Sequence, residues 1–335
     1  MAGPDPLRRA ACGAALAALF AAPAAAAAPG PGLVSQEAAG GVHAARLETP
    51  AGSIYVYLPD DLAAGDSISG TVSYAPSGKT DVEREQNLGE LRGYVVEVAG
   101  EPPAEGPTWV RVLRQLPGPT IVRFLGPRGA PIGEASIPTL SAAERPPQPP
   151  SFEVPVFGQA GNPVAIGGPV SGAPDATRVT IGGRDAPFLA QSPRKTVVRA
   201  PTDVVGPTEI RIERDGAVAE APFRVLAVQL SADKLDLRRG ERTTLHLEVG
   251  GLAGLDEPVP LSLTNRSPEV VRLGTAEVER LTIRPQDVAA DGTYRLDRPI
   301  LSLRSGAFAV NAEAGPARRT SLPVLTRPRE EKPPA

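Results

Sequence analysis

In "RTTLHLEVGG", Arg242 to Gly251, the residues Thr243, Leu245, Leu247 and Val249 share one parity, and Thr244, His246 and Glu248 share the other. A period of two places these sets on opposite faces of an extended strand and cannot put either on one side of a helix. The alternation returns in "SIYVYL", Ser53 to Leu58, and in "EIRIE", Glu209 to Glu213. Gly-Gly, Ser-Pro, Ala-Pro and Gly-Pro steps punctuate such runs, drawn from 35 glycines and 39 prolines. Proline cannot donate to a strand ladder, and both residues build turns. The expected class is all-β, with 41% hydrophobic residues enough to fill packed cores.

At 335 residues the chain is too long for one core, which points to two or three domains. Residues 1–28 read as a signal peptide: Arg8-Arg9, an apolar run from Ala10 to Ala22, then the Ala-rich "APAAAAAPG". The expected destination is export, to the periplasm or the extracellular space. Cys12 is the only cysteine and lies in that segment, with Arg9 where a lipid-attachment signal needs a Leu-like residue. No other apolar run approaches the length of a membrane span.

Composition divides the remainder. A first block, 41–140, holds strands at Ser53 to Leu58, Ser67 to Tyr74, "GYVVEVAG", "TWVRVL" and "TIVRFLGPRG". Its polar run "KTDVEREQNLGEL" reads as a solvated excursion with room for a short helix. Residues 141–151, with four prolines between 146 and 150, form a linker. A second block covers 152–226 and a third, joined without a loose linker, 227–326; residues 327–335 form a frayed tail. Strand signals every 8–12 residues are those of sandwiches, so the expectation is three tandem immunoglobulin-like β-sandwich domains after a signal peptide.

The second block carries Ile166-Gly167, then Val179-Thr180-Ile181-Gly182-Gly183, Val197-Val198 with Pro201, and Gly206 ahead of Ile210 and Ile212. This pattern resembles the IPT/TIG immunoglobulin-like family over about residues 152–226, although the family's opening is reduced to Gly158, Gly161 and Pro163. The resemblance implies an immunoglobulin-like sandwich serving as a spacer or interaction surface, in an exported bacterial setting. Gly182-Gly183 supplies a tight hairpin turn, which Asp185 is expected to cap.

Catalytic, cofactor and metal residues are expected to be none. The two histidines, His43 and His246, belong to no HExxH or Cys/His cluster, and His246 is expected to face solvent. No G-x-S-x-G elbow or phosphate-binding loop is present. Asp60, Asp61 and Asp66 cluster without the spacing of a calcium loop and read as solvated turn acids. With both charge signs interspersed and a formal net charge of −3, no basic stripe points to nucleic acid. Tyr55 and Tyr57 lie opposite Ile54, Val56 and Leu58, so they form either a possible binding strip or cover for a neighbouring strand. These readings converge on a non-catalytic interaction protein whose partner is a protein or glycan surface. The alternative is a carbohydrate-binding accessory of a degradative system.

Overall fold

The computed structural model describes residues 33–325, apart from 50–51, 77–83, 92–94, 100–108, 115–118, 126–130, 150, 169–175, 215–216, 235–236, 266, 275–276, 305–306, 309, 315–316 and 321–323. The signal peptide and the tail expected from the sequence lie outside the described residues.

The first module opens with β1 (Leu33–Ala39), β2 (Val42–Thr49), β3 (Gly52–Pro59), β4 (Ile68–Pro76) and β5 (Arg84–Leu91), an antiparallel run in one sheet. A second sheet holds β6 (Val95–Ala99), β7 (Trp109–Arg114), β8 (Thr120–Leu125) and β9 (Pro131–Ile137). Ile54, Val56 and Leu58 of β3 pack with Ala45 and Leu47 on Val122 and Phe124 of β8 and on Ala135 and Ile137 of β9. Each fully buried Leu or Ile of this kind contributes about 1.5–3 kcal/mol. The stretch "REQNLGEL" is a strand, against the helix or excursion expected. An edge position explains it: pairing with β4 satisfies its backbone along one side, and edges tolerate polar side chains.

The second module comprises β10 (Phe157–Gln159), β11 (Pro163–Gly167), β12 (Thr177–Ile181), β13 (Arg184–Asp185), β14 (Phe188–Ser192), β15 (Lys195–Arg199), β16 (Gly206–Arg214) and the long β17 (Ala217–Ala232). Val164, Ile166 and Val198 from one sheet meet Val179, Ile181, Ile210, Ile212, Phe223 and Val225 from the other. The expected Gly-Gly turn is present, with φ of 58° and 73° at Gly182 and Gly183. Asp185 instead gives its carboxylate to Arg178, which donates from Nε at 3.0 Å and Nη2 at 2.8 Å.

The third module adds β18 (Arg242–Gly250), β19 (Val259–Asn265), β20 (Val271–Leu273), β21 (Val278–Ile283), a 3₁₀ turn (Pro285–Asp287), β22 (Tyr294–Ser302), β23 (Ala307–Phe308), β24 (Val310–Ala314), β25 (Ala317–Thr320) and β26 (Val324–Leu325). The sheet β17-β18-β22-β20 covers the sheet β21-β19-β24-β25, and β23 pairs with β26. Leu245, Leu247 and Val249, on the apolar parity of β18, pack in one core with Leu261, Leu263 and Ala312. The all-β sandwich class is therefore the observed one.

Sheets run across the module boundaries. Strand β17 pairs with β16 through Ala217 to Val225 and with β18 through Ala227 to Ala232, so the boundary expected after 226 falls inside one strand. Strand β4 is also shared. A strand has two edges, and β5 occupies one along Ile68 to Tyr74; β14 at Ser69–Gly70 and β3 from Thr71 onward take successive parts of the other.

Candidate functional site: an ionic seam between the first two modules

Because β14 leaves β4 where β3 begins, the three strands β14, β15 and β11 lie over the outer face of β2 and β3. Leu189, Ala190 and Val197 pack there on Val42 and Tyr57, with Ala44, Tyr55 and Ala165 at the margin. The β1–β2 turn needs Gly41, because a Cβ there would sit 2.2 Å from Ala165 Cβ at a φ of 86°. Along β4, Ser69, Thr71 and Ser73 are buried on the face opposite the first core, so the seam is polar as well as apolar.

Charged side chains converge at one end of it. The β14–β15 hairpin carries Arg194 in its turn, and the Asp60–Ser67 loop of the first module supplies the acids. Arg194 Nε donates to Asp61 Oδ2 at 2.9 Å, and Nη2 donates to the Asp61 carbonyl at 2.7 Å and to Asp66 Oδ2 at 2.5 Å. Ser192 Oγ donates to Asp61 Oδ2 at 2.9 Å and accepts from the backbone N–H groups of Arg194 and Lys195. Lys195 Nζ pairs with Asp60 at the rim. Side chains of Arg194, Asp61 and Asp66 are 5%, 8% and 4% exposed, so these ion pairs are shielded from salt and solvent. Burial works against the Arg194 charge, but its hydrogen bond to Asp66 and the Asp61 charge outweigh that and hold the guanidinium above its ordinary pKa.

The Pro-rich segment closes the same seam. Leu140 and residues 62–64 exchange backbone hydrogen bonds, Arg145 reaches Asp66 at 3.1 Å and the Ala64 carbonyl at 2.5 Å, and Gln148 donates to the Pro193 carbonyl. A linker by composition is thus pinned to both modules by its side chains.

The structure corrects two expectations at this place. Asp60, Asp61 and Asp66 are ion-pair partners, the last two buried, and not solvated turn acids; their partners, Lys195 for Asp60 and Arg194 for the other two, lie about 130 residues along the chain, beyond any local reading. The tyrosine strip is not open either. Tyr57 is 7% exposed beneath Leu189 and Val197, and Tyr55 is half-buried. The two rings stack at 6.0 Å, with Arg46 over Tyr55 at 5.3 Å and Arg199 over Tyr57 at 5.5 Å, a ladder that links β2, β3 and β15. Cover for neighbouring strands, the other role expected of the pair, describes this arrangement.

His43 is buried in β2 beside this cluster, where burial lowers its pKa, Asp60 partly offsets that and Lys195 adds to it. His246 lies on the outer face of the third module, as its parity implies. Its Nε2 and Nδ1 each lie 2.7 Å from a carboxylate, Asp233 and Asp297, and those hydrogen bonds raise its pKa.

The junction between the second and third modules is built otherwise. Arg224 of β17 donates to the carbonyls of Gly251, Ala253 and Gly254 at 2.9, 2.8 and 3.1 Å. Gly251 is required there: its φ is 84°, and a Cβ would lie 2.4 Å from the Val225 carbonyl oxygen. Nearby, Leu252, Leu255, Pro285 and Val288 line a shallow depression without a charged side chain.

What these arrangements do chemically is hold modules together. Among the described residues no group of three or more His, Cys, Asp or Glu side chains is placed to hold a metal ion, and no helix is long and apolar enough to cross a membrane. Arg145, Arg194, Lys195 and Arg224 escaped the sequence reading. The one signal, and for Arg194 and Lys195 alone, was the cation pair of "SPRK" set against the acids of "PDD" and "GDS".

No family model and no curated protein matches the sequence. Among solved structures, the Yersinia pseudotuberculosis adhesin InvE is 16% identical, with 52% of this chain aligned to 57% of that one at a TM-score of 0.22. Domains 4 and 5 of the S-layer protein SbsC are 11% identical over 37% of this chain and 66% of theirs, TM-score 0.19. The E. coli alpha-2-macroglobulin is 11% identical over 90% of this chain and 23% of its own, TM-score 0.26. The chain thus spans just over half the adhesin's length, and overlaps this loose carry no argument about role.

Proposed function

We propose that the chain is an exported, non-catalytic interaction protein that holds sandwich loops and sheet faces in fixed relation for a protein or glycan partner. The observation that supports this reading is the fastening of both junctions: buried Arg194 between two aspartates at one, and an unbroken β17 with the Arg224 carbonyl clamp at the other. A hinged enzyme closing over substrate has no use for such fastening, whereas a presenting scaffold does. The Arg8-Arg9 and Ala-rich start supports export to the periplasm or beyond, and the IPT/TIG-like pattern of residues 152–226 fits a spacer module. Affinity capture with the tagged chain from envelope and culture medium, with intact-mass analysis of each fraction, tests the reading. The expected result is a mature chain lacking residues 1–28 and one reproducible surface partner. A chain retained whole in the cytosol, or one turning over a substrate, overturns it.

A further inference from the structure

On the outer face of β17-β18-β22-β20, Leu301 of β22 stands in register with Arg242 of β18 on one side and Arg272 of β20 on the other. Arg242 and Arg272 are exposed and Leu301 half-buried, while Thr243, Leu273 and Ile300 face the core. Arg239 sits just beyond, in a turn held to the same strand by Gly240 N–H on the Ser302 carbonyl and Ser302 N–H on the Glu241 carbonyl. Arg304 follows β22, 62% exposed, with Glu269 no closer than 3.9 Å. Other arginines of this sheet are saturated: Arg295 by Glu248 and Asp291, Arg298 by Glu279. Arg239, Arg242 and Arg272 have no hydrogen-bonded or ion-paired side chain among the described residues. The sequence disperses these cations over 66 positions of an acidic chain; the fold brings Arg242 and Arg272 to one face and Arg239 and Arg304 to the same end of the sheet.

We infer that this arginine row, from Arg239 and Arg242 across Leu301 to Arg272, binds an acidic polysaccharide. The inference rests on the reading of the chain as a non-catalytic interaction protein and names the chemistry of its partner. A guanidinium presents a planar fork that takes a carboxylate or sulfate through two parallel hydrogen bonds. Arg242 and Arg272 lie two strands apart, about 10 Å, so a polymer with spaced charges can reach both, with Leu301 and Pro299 offering apolar surface to a sugar ring between them. Past the Thr244–Pro299 row come His246 with Asp233 and Asp297, then Arg295 with Glu248 and Asp291, where acids outnumber cations. A bilayer or a DNA duplex laid on this face would meet those acids, whereas a narrow chain crossing the strand ends avoids them.

The test is titration of the full mature chain with a size-defined heparin oligosaccharide and with polygalacturonate, over a range of salt. Binding is expected to weaken with salt, as counterion release requires. Arg242→Gln and Arg272→Gln should each lower affinity about three- to fivefold, and the pair about tenfold, the scale of exposed charge pairs. Arg295→Gln, whose cation is already engaged, should leave it unchanged. Absence of binding, indifference to the double variant, or equal binding of anionic vesicles or duplex DNA would overturn the assignment. A protein partner captured from the envelope alongside no polysaccharide binding would sink this inference and leave the broader reading standing.

Discussion

The two junctions join modules of one class by opposite means. Between the first and second modules the connection is made by side chains far apart in sequence: the Arg194–Asp61 contact spans 133 positions, and the chain between them wanders through most of two sandwiches. Between the second and third, the connection is the backbone itself, β17 passing from one core to the other, with Arg224 clamping a loop only 27 to 30 residues on. The first junction depends on desolvated charge, which is strong when complete and costly when broken. The second depends on ladder hydrogen bonds and on one glycine. The first should therefore fail through single side chains, and the second through the backbone.

The largest expected effect follows from removing Arg194. Arg194→Ala leaves Asp61 and Asp66 buried without their cation, which costs about 3–5 kcal/mol. Denaturant unfolding followed by tyrosine fluorescence should split, with the first two modules melting ahead of the third. A single transition shifted by less than about 1 kcal/mol would show that the seam is decorative.

At the second junction, Gly251→Val should cost about 2–3 kcal/mol, since a side chain there adopts a left-handed backbone and meets the Val225 carbonyl. Calorimetry should place the loss in the third module's transition. Arg224→Ala removes three hydrogen bonds to carbonyls that solvent can partly replace, so about 1 kcal/mol is expected. If Arg224→Ala proved worse than Arg194→Ala, the contrast between the junctions would be reversed.

How much of this could be read from the sequence also differs between the junctions. Strands β3 and β18 were legible because one face of each is buried against an opposing sheet, and burial writes itself as alternation. The absence of a loose linker at the second junction was equally visible, because no Gly or Pro interrupts "FRVLAVQL". Strand β5 was hidden, since a polar edge strand keeps no alternating apolar face. The seam was hidden for another reason: an ion pair leaves no period, and Asp61 and Asp66 look like any turn acids until the chain folds. Tyr55 and Tyr57 were correctly placed on one face of β3, but which element covers that face is decided by where β14 joins β4.

The smallest effects come from the two histidines, and they carry opposite signs. His246 has its pKa raised by Asp233 and Asp297. The stability it adds is fully present below the unfolded value of about 6.5 and disappears as pH rises through the higher folded value. His43 has its pKa lowered by burial, so the unfolded chain binds its proton more readily. Stability then falls as pH drops below about 6.5 toward the lower folded value. Melting temperature measured against pH should therefore flatten on the alkaline side in His246→Gln and on the acid side in His43→Gln. The slopes are the readout, because glutamine at a buried site shifts the absolute value as well. An acid slope that survives His43→Gln, or an alkaline slope that survives His246→Gln, would place its origin outside that histidine.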